Sequence, residues 1–219
     1  MIPIAFELEL PDLLLGVVES RSVPTGPADP ALDAEIIAAL TAMASRKPGT
    51  ETDPVKTAVR NLLRVGGYKP AGRGKPASEY LAQSAERGEF PRISHIVDAL
   101  NLVSLESRLP ISLLDADRVM DGTDALVVRF GRAGESYVFN SAGHEINIEG
   151  LVSVARHNGP AVGNPVKDSM MAKTTDDTTH SIAFIWGSRR ILDPAAMQQV
   201  CQRLGNLLRG MQTEIRVIA

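Results

Sequence analysis

The stretch from Phe90 to Asp115, FPRISHIVDALNLVSLESRLPISLLD, constrains the fold most. Pro91 opens it, and from Ile93 onward apolar residues fall at 93, 96, 97, 100 and 103, the spacing of a helix. Ala99, Leu102 and Leu105 cover most of the remaining circumference. A helix apolar nearly all round is a buried one, so the spacing predicts a central helix near 93–108, stopped by Pro110. Yet Ser94, Asp98, Asn101 and Arg108 lie along one side. Buried polar groups are costly unless paired, which leaves two readings of this seam. Ser94 caps the helix, Asp98 pairs with Arg108 or a backbone amide, and Asn101 ties down a loop; or the seam lines a small-molecule pocket. ISLLD, with Ser112 and Asp115, reads as the turn that returns past the helix end.

A chain of 219 residues can form one large domain or two small ones, and can bury a sizeable core. No linker-like segment suffices to divide it, so 1–219 is read as one domain. The net charge of −3 and the 44% hydrophobic content are those of an ordinary soluble protein. The lone Cys201 excludes an intramolecular disulfide and fits a reducing compartment. No apolar run approaches the ~18 residues that span a bilayer. No basic segment precedes an apolar core at the N-terminus, so no secretory signal is expected. The reading is a cytoplasmic protein that does not enter membranes.

Around the central helix the elements follow from pattern and punctuation. Residues 2–9 and 13–20 read as strands. Asp29-Pro30, Asp53-Pro54 and Asp193-Pro194 each place a capping residue before a proline at the first helical position. KPGTET at 47–52 reads as a loop, Gly66-Gly67 as the end of the second helix, and 77–87 as a short third helix. Beyond the central helix, short strand candidates at 125–130, 135–139, 145–148, 151–156 and 182–186 are split by glycine-containing turns. A closing strand is expected at 213–218. Helices first and antiparallel-looking strands later make the class α+β.

From Pro54 to Ser78 there are six basic residues, Lys56, Arg60, Arg64, Lys69, Arg73 and Lys75, and no acidic one. This is either a solvated face with distant acidic partners or a phosphate-contacting patch, with Tyr68 as a stacking ring. Gly72 and Gly74 do not make a P-loop, because Pro76 follows Lys75 where Ser or Thr is required. His95, His144, His157 and His180 show no metal-ligand spacing, so no metal or other cofactor is expected; His144 and His157 read as surface or turn residues. No G-x-S-x-G elbow is present. A second polar cluster, Lys167-Asp168-Ser169 with Lys173, Thr174 and Thr175, is either a turn between strands or part of a site. If it converges with the seam, the two bring a cation, hydroxyls and an amide together. Such a site could hold an aminoacyl ester and offer donors to a developing oxyanion.

Three segments carry a resemblance. PRISHIVDALNLVSLESRLPISLLD is similar to LPxINxxVDxxNxxSxxxxxPIxxxD, the centre of the B3/B4 domain of the phenylalanyl-tRNA synthetase beta subunit and its free-standing relatives. Pro91, Ile93, Val97, Asp98, Asn101, Ser104, Pro110, Ile111 and Asp115 fit that pattern. KPASEYLAQ at 75–83 resembles the family's RPSSEALLRR, and VKDSMMAKTTDDTTHSIAFI at 166–185 resembles RDSxRTxVTxDTxxxLFVI.

The resemblance implies a layered α+β fold of mixed and antiparallel sheets. It implies the hydrolysis in trans of a mischarged aminoacyl-tRNA, with tRNA as partner. Asn101, Ser112, Lys167 and Ser169 would be catalytic. Asp98, Leu100, Asp115, Asp168, Thr174 and Phe184 would bind the substrate. The chain departs from the family's pocket motif, VDxTNYV…GxPxHxFD. Leu100 stands where threonine would be and Ser112 where histidine would be, and SIAFIWG lacks the glutamate that reads a tyrosine hydroxyl. Those losses keep a second reading open, a non-catalytic module that binds an amino acid, a nucleoside or a tRNA end. A metabolic hydrolase unrelated to tRNA is a third.

Overall fold

The computed structural model describes residues 1–44 and 53–218. The loop expected at 47–52 lies outside them. In chain order the elements are β1 (Ile4–Phe6), β2 (Leu13–Arg21), α1 (Pro30–Ala44), α2 (Pro54–Arg64), α3 (Ala77–Glu86) and α4 (His95–Ser107). Then come β3 (Ile111–Asp115), α5 (Ala116–Met120), β4 (Leu126–Phe130), β5 (Ser136–Val138), β6 (Glu145–Asn147) and β7 (Val152–Arg156). The chain closes with β8 (Ala161–Gly163), β9 (His180–Ser188), α6 (Pro194–Leu208) and β10 (Gln212–Ile218). The α+β class is as expected. The three Asp-Pro pairs open α1, α2 and α6: Asp29 accepts from Leu32 N at 2.9 Å, Asp53 from Val55 N at 3.0 Å, and Asp193 from Ala196 N at 2.8 Å.

Two four-stranded sheets share one hydrophobic core. The order in one is β1-β4-β7-β8, antiparallel except for the parallel pair β1–β4. The other, β10-β2-β9-β3, is antiparallel throughout. All nine residues of β9 are buried, so this strand is covered on both faces. Register decides which side chain goes where. Ser112 opposes Phe184, two residues from Trp186, so these three share a face. Gly16 opposes Ile185 on the other face, where α6 packs so closely that a Cβ on Gly16 would lie 2.4 Å from Cys201 Sγ. The helix α4 packs against α6, with α1 and α3 beside it. The central helix therefore lies across the sheet from Ser112 and Phe184.

The seam of α4 resolves largely into internal bonds. Asp98 is 2% exposed and accepts from Ile93 N and Arg92 Nε, both at 2.8 Å. It pairs with Arg92 because Arg108 caps the helix in the left-handed region (φ 62°) and points to Asp53, 2.6 Å away. Ser94 stands at the N-cap position without a side-chain capping bond. Ile93 precedes the helix and is 67% exposed, so the buried pattern begins at Ile96. ISLLD is not a turn: it is β3, the outer strand of its sheet. Its apolar run had too few residues to separate strand from helix or passage by period alone. The short α5 and β8 were not expected either.

Gly16 is a place where the fold depends on a missing methyl group. Gly16→Ala should force β2 and α6 apart and lower stability by about 1–3 kcal/mol, as overpacking does. Cys201→Ala in the same chain should restore part of that loss. Thermal melting of the single and double variants checks both outcomes.

Candidate functional site: a basic cleft and the network behind it

After α2, Gly66-Gly67 turns the chain into the basic segment. A Cβ on Gly66 would lie 2.2 Å from Gly150 O, so glycine there lets the end of α2 seat against the loop before β7. Residues 68–74 then form a compact loop. Tyr80 Oη donates to Gly72 O at 2.6 Å, and Tyr68 Oη donates to Gly74 O at 3.3 Å. Opposite stands the β5–β6 hairpin, whose Phe139 N donates to His144 O at 3.0 Å. Between loop and hairpin runs a cleft of about 410 Å³. Tyr68, Lys69, Arg73, Phe139, His144 and Lys167 are among the residues lining it, with Glu145 as a lone acidic member.

Lys167 is the inner cation of this cleft. Its Nζ stands 3.8 Å from the centroid of the Phe139 ring, and Phe139 stacks on His144 with centroids 6.2 Å apart. Partial burial, then the nearby charges of Arg73 and Lys173, pull the Lys167 ammonium below the usual lysine range. Lys173 holds the same hairpin by donating to Phe139 O at 2.6 Å.

Behind Lys167 lies a polar network organised by Asn164. Its Oδ1 accepts from Val166 N at 2.8 Å and Lys167 N at 2.9 Å, an Asx turn that sets the direction of the following residues. Its amide donates to Tyr137 Oη, which in turn donates to Lys167 O. Asp168 accepts from Asn164 N and Leu113 N, both at 3.3 Å. Part of the Asp168 residue reaches solvent, but its carboxyl is enclosed, and burial pushes it up to about 7 against the pull of Ser112, the two amides and Lys173. Ser112 is 1% exposed; it donates to Asn164 O at 3.0 Å and accepts from Trp186 Nε1 at 3.1 Å.

The candidate residues thus divide. Lys167, Asp168 and Ser112 meet around Asn164. Ser169 follows them, buried, with its hydroxyl accepting from Met171 N at 3.3 Å. Phe184 is fully buried against Trp186 on the Ser112 face. Asp115 caps α5 through Arg118 N at 3.0 Å and accepts from Thr178 Oγ1 at 2.7 Å. Thr174 is half-buried nearby in sequence. Asp98, Leu100 and Asn101 belong to α4, on the other side of the sheet, and none of them lines the cleft. Asn101 is half-buried, and its side chain has no hydrogen-bond partner among the described residues.

The basic residues divide too. Arg60 makes two bonds to buried Glu79 of α3, at 2.6 and 2.7 Å, with Lys56 3.6 Å from the same carboxylate. That acid stands immediately after the basic stretch that ends at Ser78. Arg64 bonds Asn61 at 2.9 Å and lies beside the outer end of the loop. Lys69 and Arg73 line the cleft, and Lys75 is half-buried. The sequence reading missed Asn164, Tyr137 and Phe139. Asn164-Pro165 between two short elements was a turn signal that could have found the first. Among the described residues no cluster of three or more His, Cys, Asp or Glu side chains is placed to hold a metal ion. Nor is any helix among them long and apolar enough to cross a membrane.

The model of the B3/4 domain family matches residues 71–211, from the basic loop through the hairpin and the Asn164 network to the end of α6. The chain belongs to the B3/4 domain family. Members can be parts of far longer proteins. The phenylalanine–tRNA ligase beta subunit of Parasynechococcus marenigrum (strain WH8102) is 24% identical over 222 residues, which is 93% of this chain and 26% of that protein. An N-terminal fragment of the phenylalanyl-tRNA synthetase beta subunit from Pyrococcus horikoshii aligns with 98% of this chain and 50% of its own length. It is 12% identical, with a TM-score of 0.44. In this B3/4 chain Ser112 has its hydrogen bonds met internally, and β9 carries no acidic side chain.

The raised Asp168 carboxyl gives a pH signature. In the unfolded chain it ionises near pH 4; in the fold it keeps its proton to about pH 7. Between those values the folded state binds the extra proton, so this group's contribution to stability falls as pH rises and is gone above about 7. Glu135 works in the opposite direction but lower. Burial pushes its carboxyl up, but Arg129 and the amides of Arg132 and Ala161 outweigh it and draw it down to about 2, so its stabilising effect is lost only as pH falls below the usual glutamate range. Stability measured by denaturant from pH 5 to 8 should therefore decline in the parent chain, by up to about 1.4 kcal/mol per pH unit. Asp168→Asn should abolish that decline.

Proposed function

We propose that this B3/4 chain is an editing-type hydrolase that cleaves the ester of a mischarged aminoacyl-tRNA in trans. The observation that carries the reading is the cleft: Lys69, Arg73 and Lys167 interleaved with Tyr68, Phe139 and His144. Cations that track phosphates and rings that stack on bases are what a single-stranded nucleic-acid end requires. A tRNA acceptor end is such a strand, and the relative named above is a tRNA ligase subunit. On this reading Lys69 and Arg73 take the phosphates and the rings take the terminal base. Lys167, held over Phe139, faces the ester and stabilises charge developing on its carbonyl oxygen. The Asn164 turn and Asp168 keep Lys167 in place, and water is the nucleophile. No residue of β9 lines the cleft, so the amino-acid side chain meets the hairpin side of it, where Ile146 and Asn147 stand beside Glu145.

One observation favours the rival, a binding module without turnover: the hydroxyl of Ser112 has both a hydrogen-bond acceptor and a donor inside the protein. Deacylation across a panel of mischarged tRNAs separates the two. Turnover of at least one member, reduced tenfold or more by Lys167→Ala at unchanged melting temperature, supports the hydrolase; that factor corresponds to about 1.4 kcal/mol. Retained binding with no turnover of any member supports the module.

Binding itself should run through the cleft. Lys69→Ala with Arg73→Ala should flatten the log–log salt dependence of tRNA affinity by about 1.4, roughly 0.7 for each single-strand phosphate contact. Arg60→Ala, whose cation already serves Glu79, should leave that slope alone. Filter binding at several salt concentrations checks both.

A further inference from the structure

The sheet β10-β2-β9-β3 has two outer strands, and they are treated differently. The β3 edge is closed, because its outward amides at Leu113 and Asp115 donate to Asp168 and to Ala172 O. The β10 edge is seven residues long, contains no proline, and has no such cover among the described residues. An open edge of this kind is a template for another strand.

The register shows which amides are free. Arg189 N donates to Asp12 O, which fixes Asp12 and its even-numbered neighbours on β2 as facing β9. The odd-numbered residues of β2 therefore face β10 and bond the even-numbered residues opposite them, Gln212, Glu214, Arg216 and Ile218. Thr213, Ile215 and Val217 point their backbone groups outward. A second strand must put its own outward residues against these three.

We propose that β10 pairs with β10 of a second copy of this chain, antiparallel and centred on Ile215, making one continuous eight-stranded sheet. The charge pattern selects this partner and this register. With Ile215 opposite its own copy, Thr213 lies opposite Val217, and Glu214 lies opposite Arg216 twice over, in the closely spaced pairs without backbone bonds. Moving the centre one residue to either side sets Glu214 against Glu214 or Arg216 against Arg216, so like charges oppose the neighbouring symmetric registers. Glu214 already meets the Met1 amino group at 2.8 Å, yet stays 59% exposed and has a second oxygen for the arginine.

The helix layer fits the same two-fold. In each copy α6 lies over β2 and β10. Joining the edges sets the two α6 helices about 10 Å apart, two strand spacings, which is a helix-packing distance. The side of α6 beside the edge shows Gln202 and Asn206, exposed and uncharged. Between α6 and β10 lies a groove of about 370 Å³, bordered by Gly205, Thr213 and Ile215, with Gln202 and Asn206 along it and Arg209, paired to Asp29, at the helix end. The second copy's Ile215 and Val217 rise on that face and fill it.

Sedimentation velocity on the full chain tests the proposal with two charge variants, Arg216→Glu and Glu214→Arg. The parent chain should be a dimer at about 100 μM, a concentration at which even a weak specific interface is populated. Each variant alone should raise the dissociation constant about tenfold or more, because attraction at both cross-strand pairs becomes repulsion. An equimolar mixture of the two variants should recover a dimer, since each Glu then meets an Arg; that recovery also shows that both variants fold. A monomeric parent chain, or variants that dimerise as well alone as mixed, overturns the proposal.

Discussion

The carboxyl of Asp168 holds the edge of a sheet. It accepts the outward amide of Leu113 on β3 and the amide of Asn164 at the end of β8, and so ties the two sheets together at one point. An unpaired amide buried at that edge would cost on the order of 1–3 kcal/mol. Closing the edge instead draws 164–173 along β3, and the rest of the site follows. The Asx turn at Asn164 aims Lys167 outward, Tyr137 braces its carbonyl, and Lys173 reaches back to the hairpin that carries Phe139. The residues that close the sheet also set the inner wall of the cleft.

This explains why the cleft lies where it does. The centre of the molecule is close-packed: β9 is buried along its whole length, and α6 approaches β2 only because Gly16 has no side chain. No room remains there for a ligand of nucleotide size. One open cleft lies where two irregular segments, the basic loop and the β5–β6 hairpin, face each other. Rigid elements carry the loops, and the loops carry the groups that could bind.

Much of the fold was legible because its signals are local. Asp-Pro caps, paired glycines and helical spacing placed the helices near their observed positions. β3 was not legible, since five consecutive apolar-rich residues after a proline have no period to read. The seam of α4 was half legible: its residues are polar and buried, but partner choice depends on Arg92 lying outside the helix and Asp53 lying 55 positions away. The basic stretch looked free of acids because Glu79 stands just past its end, yet it folds back onto Arg60. At the site, Lys167-Asp168-Ser169 and Ser112 could be singled out by type. The division of Ser112 and Asn101 between two sheet faces could not, because it follows from strand register, which no single segment encodes. Phe139 and Tyr137 carry no signal apart from the pairing of a short hairpin.

The claim on which the account rests is that ligand enters between the basic loop and the hairpin, on the Ser112 side of the sheet. The most direct measurement is an amide-resolved NMR titration with a hydrolysis-resistant aminoacyl adenosine, amide-linked at the sugar. The account predicts shifts that begin at Tyr68, Lys69, Arg73, Phe139 and Lys167 and extend to Asn164 and Asp168, with α4 unmoved. Shifts confined to Asn101 and its neighbours on α4, across the sheet, would contradict it.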